Sequence, residues 1–338
     1  MINFQYARAS DIADAVRQIA ADPMAKFVAG GTNLIDLMKE DVERPSRLID
    51  ITRLPLKSVE ETAEGGVRIG ALVPNSDLAY HALVAQRYPM LASAILAGAS
   101  AQLRNMASTG GNLLQRTRCT YFYDIATPCN KREPGSGCSA IAGLNRMHAI
   151  LGTSEACIAT HPSDMCVALA ALDATVHAAG PVGAREIAFA DFHRLPGDTP
   201  QRDTNLEPNE IVTAVELPAR GFAANYTYLK IRDRLSYAFA LVSVAAALEL
   251  EGDKIQEARL ALGGVAHKPW RDPAAETALR GQIANQATFG RAADLMLRDA
   301  KRFEHNAFKI DLTRRAIIRA LTQAAAGTPQ SQSSKKIR

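Results

Sequence analysis

The stretch Val28-Ala29-Gly30-Gly31-Thr32-Asn33-Leu34 decides how this chain is read. A short apolar run over 26–29 ends on two successive glycines, and an amphipathic segment starts directly after them. Paired glycines let the backbone take conformations closed to other residues, so that successive N–H groups face one concavity and hold a phosphate. Thr32 and Asn33 add side-chain donors, and the helix predicted over 34–40 adds the positive end of its dipole. A tight strand-to-helix turn with no ligand would use the same residues. The order is not the G-x-G-x-x-G of a dinucleotide fold.

Further on, Ala107-Ser108-Thr109-Gly110-Gly111-Asn112 repeats the recipe of hydroxyls, paired glycines and an amide. Two turns of like chemistry in one chain point to the two sides of a single pyrophosphate. Around the first turn, 4–7, 26–29 and 47–51 read as strands. Ser10 is placed to cap a helix over 11–21, where Ile12, Ala15, Val16 and Ile19 recur at helical spacing. This is a compact β-α-β lobe over 1–55. A second lobe over 56–220 opens with a strand at 67–72 and helices at 75–87 and 88–99. It continues past the second glycine turn to a helix capped by Ser163 or Asp164 and strands at 184–189 and 211–217. A third lobe over 221–326 carries extended runs at 226–232, 238–250 and 256–265, then helices near 274–280, 289–302 and 312–325. The Ser/Gln/Lys-rich end, 327–338, reads as a disordered tail. No internal repeat is evident.

The 338 residues are 47% hydrophobic, enough for a large core, and the 39 basic residues nearly balance 35 acidic ones. No basic stripe with interleaved aromatics marks a nucleic-acid partner. The first residues lack the basic and apolar regions of a secretory signal, and the longest apolar stretch, 237–250, is too short to span a bilayer. A soluble protein with no export signal of its own is expected.

Five cysteines are an odd number and too sparse for a disulfide scaffold, which favours thiol or metal chemistry. Four of them, Cys119, Cys129, Cys138 and Cys157, fall in 115–160, a segment punctuated by Pro128, Pro134, Gly135 and Gly137. Thiolates are soft ligands for iron–sulfur clusters or zinc, and a cubane takes four. The spacing is not the compact C-x₂-C of ferredoxins, so zinc, disulfides or unrelated thiols stay open on these residues alone. The fifth, Cys166, lies in Met165-Cys166-Val167-Ala168-Leu169-Ala170-Ala171-Leu172 and reads as a small buried hydrophobe. His148, His161 and His177 read as local hydrogen-bonding groups, and no Ser-His-Asp or hydrolytic metal constellation is present.

The two glycine turns, with His161-Pro162-Ser163-Asp164, Tyr228-Leu229-Lys230 and Tyr237-Ala238-Phe239-Ala240-Leu241-Val242, resemble the flavin-binding subunits of the xanthine dehydrogenase and carbon monoxide dehydrogenase family. The resemblance runs from Phe4 to about residue 325. It implies an α+β fold: a two-lobed PCMH-type (vanillyl-alcohol-oxidase-like) FAD-binding domain over 1–220, and a C-terminal α+β lobe of the CO dehydrogenase flavoprotein type over 221–326. It implies FAD contacts from Lys26, Phe27, Val28, Ala29, Gly30, Gly31, Thr32, Asn33 and Leu34, and from Ser108, Thr109, Gly111 and Asn112, around the pyrophosphate. Arg118 and Asp124 join this set. Asp164 is expected near the adenosine side, Ile211 and Val212 against apolar parts of the cofactor, and Lys230 near the flavin ring.

The text Asn112-Leu113-Leu114-Gln115-Arg116-Thr117-Arg118-Cys119, Pro128-Cys129-Asn130-Lys131-Arg132, Gly135-Ser136-Gly137-Cys138 and Ser154-Glu155-Ala156-Cys157-Ile158 further resembles the flavin subunits of periplasmic aldehyde oxidoreductases. That implies a 4Fe–4S cluster on Cys119, Cys129, Cys138 and Cys157. It also implies a heterotrimer with a small 2Fe–2S subunit and a large molybdenum-cofactor subunit, electrons passing through FAD to an external acceptor. Such a chain reaches the periplasm by export with a signal-bearing partner, and otherwise stays in the cytoplasm. A stand-alone NAD(P)H-dependent flavin oxidoreductase, or a subunit that only joins two others, would carry the same turns. Flavin colour, and its bleaching by NAD(P)H, separate the three.

Overall fold

In the computed structural model, which describes residues 1–332, the chain builds three sheets. The first is parallel, with β1 (Gln5–Arg8), β2 (Ala25–Val28) and β3 (Arg47–Asp50) in the order β1-β3-β2. Parallel neighbours need a crossover, and the helices Ile12–Ala21 and Leu34–Lys39 supply it. The first helix is capped by Asp11, one residue later than Ser10. Asp11 accepts from Asp14 N at 2.7 Å while Ser10 N donates to Asp14 Oδ2 at 3.0 Å. Asp11 thus satisfies one end donor of the helix, and Asp14 ties down the amide just before the cap.

The second sheet is antiparallel, with β4 (Val59–Glu61), β5 (Val67–Gly70), β6 (Thr175–Gly180), β7 (Gly183–Ala188) and β8 (Ile211–Leu217) in the order β4-β5-β8-β6-β7. The helix expected over 75–87 is two helices, Asn75–Tyr80 and Ala82–Arg87, because His81 is extended at φ −65° and ψ 131°. In an unbroken helix Val84 would point well away from Leu78. The break turns both into the core, where Leu78 is 1% exposed and Val84 0%.

The third sheet, β9 (Tyr226–Ile231), β10 (Val242–Glu251), β11 (Lys254–Gly263) and β12 (Trp270–Arg271), runs β12-β11-β10-β9. Glu251 and Lys254 pair across a two-residue turn whose Gly252 has φ +61°, the conformation a tight hairpin asks of its first turn residue. The helices Pro89–Ala97 and Asp164–Ala171 pack against this sheet and share a core with the second. Every residue of Asp164–Ala171 is buried, as a helix apolar on all sides must be. Helices Pro273–Leu279, Gln286–Met296 and Phe308–Ala325 form a second core with the third sheet.

Two expectations shift here. The strand expected from 238 begins at Val242, since 232–241 leaves the sheet as a loop in which Tyr237 has φ +50°. In the expected tail, Gln330 N donates to Thr227 Oγ1 at 3.0 Å and Gln330 Oε1 accepts from Lys230 N at 2.9 Å. Residues up to Gln332 therefore give partners to an edge strand, and 333–338 lie outside the described residues. Among the described residues no helix is long and apolar enough to cross a membrane.

Candidate functional site

The two glycine turns meet. A Cβ on Gly30 would lie 1.7 Å from Met106 O, and one on Gly110 would lie 3.0 Å from Ala71 Cβ. Both glycines thus serve close approach of one chain segment to another, while Gly31, at φ +72°, serves the turn itself. Gly111 differs from these: its Cβ would meet only Ser108 Oγ, at 2.9 Å, and the residue is exposed. Ser108 caps the short helix Thr109–Leu113 by accepting from Gly111 N at 3.2 Å. A Gly30→Val variant should therefore disrupt the contact between the first two lobes and precipitate or melt early. Gly111→Val should fold and lose flavin, as read by thermal unfolding and by chromatography of released cofactor. Equal flavin content in wild type and Gly111→Val would remove this residue from the site.

The turns form the waist between two chambers. One, of about 310 Å³, is lined by Lys26, Phe27, Val28, Ala29, Gly30, Gly31, Thr32, Asn33, Leu34, Ser108, Gly111, Ile211 and Val212, among others. The other, of about 770 Å³, shares Thr32, Asn33 and Gly111 and adds Asn112, Arg118, Asp164 and Lys230. Two residues of the expected set lie elsewhere. Thr109 is 1% exposed and donates to Val73 O at 3.0 Å, so it anchors the turn from behind. Asp124 is exposed at the end of the helix Thr120–Tyr123, accepts from Ala126 N at 3.0 Å, and lines neither chamber.

Asp164, expected near the adenosine side, and Lys230, expected near the flavin ring, lie together: they pair at 2.7 Å in the larger chamber. Ile211 and Val212 line the smaller one. Helix start and strand β9 are brought together because Asp164 sits in the first turn, where the helix dipole favours an anion. Tyr228 Oη donates to its other oxygen at 2.7 Å, and burial raises the Tyr228 phenol well above its ordinary value, so it stays a donor.

The waist is polar and incompletely satisfied. Asn33 Oδ1 accepts from Arg116 N at 2.8 Å, which leaves Asn33 Nδ2 buried without a partner. Asn112 donates to Asn75 at 2.6 Å and accepts from Ser163 at 2.6 Å and Gln115 at 2.8 Å. A buried amide donor left open beside two glycine turns fits an acceptor-rich group such as a phosphate. The sequence reading missed Tyr237 and Phe239, which line the larger chamber from the loop that leaves the third sheet. Arg118 lies over the Phe239 ring at 5.4 Å. Both aromatics stand in the 237–242 motif, most of which is expected to open an extended run rather than a loop.

Next to this chamber, Cys119, Cys129, Cys138 and Cys157 line one small cavity. All four are free thiols, and Cys129 faces Cys138 across an isolated antiparallel bridge. The segment is held by side chains rather than left flexible. Asn130 accepts from Gly135 N at 3.1 Å and Gly137 N at 2.8 Å, and donates to Ala156 O at 3.0 Å. Lys131 and Arg116 both pair with Asp203. Burial raises the Asp203 carboxyl, but these cations outweigh it and hold it well below the usual range. Burial pushes the Cys119 thiol up to about 12 and Cys157 to about 11, so thiolates there require a compensating cation. A single tetrahedral zinc holds its sulfurs roughly 3.8 Å apart. The group of three ligand atoms within 4.8 Å of one another, among the described residues, is His161, Cys166 and His193, not any three of these four. Four soft thiols on one cavity are a donor set of the kind that holds an iron–sulfur cluster or zinc.

Cys166 is fully buried in its helix. Near it the rings of His161 and His193 meet at 4.4 Å between centroids. His193 Nε2 donates to Leu113 O at 2.9 Å, and burial lowers its pKa to about 4. His177, by contrast, lies 3.2 Å from Glu216 on the second sheet.

Residues 2–220 match the FAD-binding domain in molybdopterin dehydrogenase, and 226–324 match the CO dehydrogenase flavoprotein C-terminal domain. The chain belongs to the FAD-binding medium subunits of the molybdenum hydroxylases, a family of oxidoreductases, with the α+β fold that the resemblance implied. It is 51% identical over 324 residues to the aldehyde oxidoreductase FAD-binding subunit PaoB of Escherichia coli strain K12, covering 96% of this chain and 98% of that one. It is 29% identical over 283 residues to the glyceraldehyde dehydrogenase medium chain of Sulfolobus acidocaldarius, covering 83% of each. A reconstituted CO dehydrogenase from Oligotropha carboxidovorans shares the fold at TM-score 0.76 and 24% identity, over 96% of this chain and 99% of that one.

Proposed function

We propose that this chain is the FAD- and 4Fe–4S-carrying electron-transfer subunit of a heterotrimeric, molybdenum-dependent aldehyde oxidoreductase. The observation that carries the reading is the convergence of Cys119, Cys129, Cys138 and Cys157 on one cavity beside a two-chambered cleft with paired-glycine turns at its waist. The 51% identity to an aldehyde oxidoreductase FAD-binding subunit supports the substrate class, aldehydes, oxidised on a large molybdenum-cofactor partner. The division follows the lobes: 1–220 for FAD and 221–326 as the C-terminal lobe.

Bound FAD supplies a carrier that takes up two electrons and releases them singly. The protein's own residues receive it. Thr32, Asn33 and Gly111 offer donors at the waist, Asn33 Nδ2 being the open one. Lys26, Phe27, Val28, Ala29, Gly30, Gly31, Leu34, Ser108, Ile211 and Val212 wall the smaller chamber, and Asn112, Arg118, Asp164 and Lys230 the larger. The paired charges of Lys230 and Asp164 fix a dipole at the chamber wall without adding net charge there. Electrons arrive from a small 2Fe–2S partner and leave to an external acceptor. The complex is exported to the periplasm folded on the signal of a partner, and otherwise stays in the cytoplasm.

A tagged chain recovered from its native host should bring one copy each of a 2Fe–2S and a molybdenum subunit, with flavin absorbance over a broad brown background. A colourless homodimer free of both partners would sink this reading.

A further inference from the structure

We propose that His148 is a positioning residue for the iron–sulfur cluster, donating an Nε2–H hydrogen bond to the sulfur of Cys119 and thereby raising the cluster's reduction potential on the side that faces the flavin chamber. The inference rests on the cluster reading above and goes beyond it by giving one side chain a measurable electronic role.

The geometry is direct. His148 Nε2 lies 3.1 Å from Cys119 Sγ, within hydrogen-bonding distance for sulfur. A thiolate bound to iron has no proton, so the nitrogen must be the donor. The other ring nitrogen, Nδ1, is buried and has no partner, so nothing in its surroundings holds a proton there. The single proton of a neutral imidazole belongs on Nε2, the nitrogen that has an acceptor. The ring is fixed by its backbone. His148 N donates to Asn145 O at 3.0 Å, and His148 O accepts from Lys309 Nζ at 2.8 Å. Asn145 is in turn anchored by His305 N, which donates to its Oδ1 at 2.9 Å.

The location gives the contact its consequence. Cys119 lines the cavity of the four thiols and also a neighbouring cavity of about 390 Å³, on whose wall His148 stands. That second cavity shares Arg118, Met147, Ser163, Asp164 and Phe239 with the larger flavin chamber. Cys119 is thus the ligand turned toward the flavin. A donor to a cluster sulfur stabilises the extra negative charge of the reduced state, and so raises the potential. The main chain makes a comparable but longer contact at Cys157, where Ala159 N lies 3.4 Å from Sγ.

The test uses the intact complex and a low-temperature EPR-monitored redox titration. It follows the signal that disappears in Cys138→Ser. His148→Phe should keep the signal and the iron content and move its midpoint to more negative potential. His148→Gln, which keeps an N–H donor, should return the midpoint toward wild type. FAD content should be unchanged in both. An unshifted midpoint in His148→Phe overturns the proposal while leaving the cluster standing. Loss of the signal in both His148 variants also overturns it, because the donor in Gln should have rescued. If Cys138→Ser removes no iron and no signal, it is the cluster reading that fails.

Discussion

Replacing Cys119, Cys129, Cys138 or Cys157 singly by Ser should abolish or cripple the proposed 4Fe–4S cluster, whereas Cys166→Ala should leave iron and acid-labile sulfide at wild-type level. The asymmetry follows from where the sulfurs point. Four line one cavity, and a cubane with three thiolate ligands keeps an iron open to water and exchange. Cys166 instead sits inside the helix Asp164–Ala171, 0% exposed, its amide tied to Ser163 Oγ at 3.0 Å. Removing one buried sulfur there leaves a small void, and the expected loss is about 1 kcal/mol. The ligand variants should also disturb flavin, because the cysteine segment starts from the turn that carries Gly111 and Asn112. Iron and sulfide analysis with EPR of the reduced complex decides between the two groups. If Cys166→Ala empties the cluster while one of the four is dispensable, the ligand set is wrong.

The second large effect belongs to the pair Lys230 and Asp164, whose side chains are 2% and 8% exposed. Lys230→Met should strand a carboxylate in a nearly dry wall and cost about 3–5 kcal/mol, since breaking one half of a buried pair leaves the other uncompensated. Lys230→Met with Asp164→Leu should regain most of that loss, as replacing both partners by apolar groups is often close to neutral. The readouts are the thermal midpoint and FAD content, measured on the same preparations. The single variant should fall in both. The double variant should recover the midpoint, and its flavin content then reports how far the fixed charges matter for binding. A single variant that melts with wild type would mean that the pair is solvated and adds nothing.

Gly30 and Gly111 differ in what their substitution reports. The missing Cβ of Gly30 makes room for Met106 O. A collapse of the Gly30→Val variant would therefore say nothing about FAD, and Gly111 is the informative position.

Local chemistry was legible in the residues themselves. Paired glycines, a cap with an apolar helix behind it, and four thiols among glycine and proline each state a demand of the nearby backbone, and they marked the waist, the helix Asp164–Ala171 and the thiol-lined cavity. Tertiary packing alone decided the rest. His81 breaks a helix because Leu78 and Val84 must reach the same core. β5 pairs with β8 across a long stretch of chain, Asp164 meets Lys230 across the lobes, and His148 reaches Cys119. No local pattern reports such pairings, because a side chain's partner across the fold depends on how whole elements bury their apolar faces, and that energy is summed over the core rather than written at any one position.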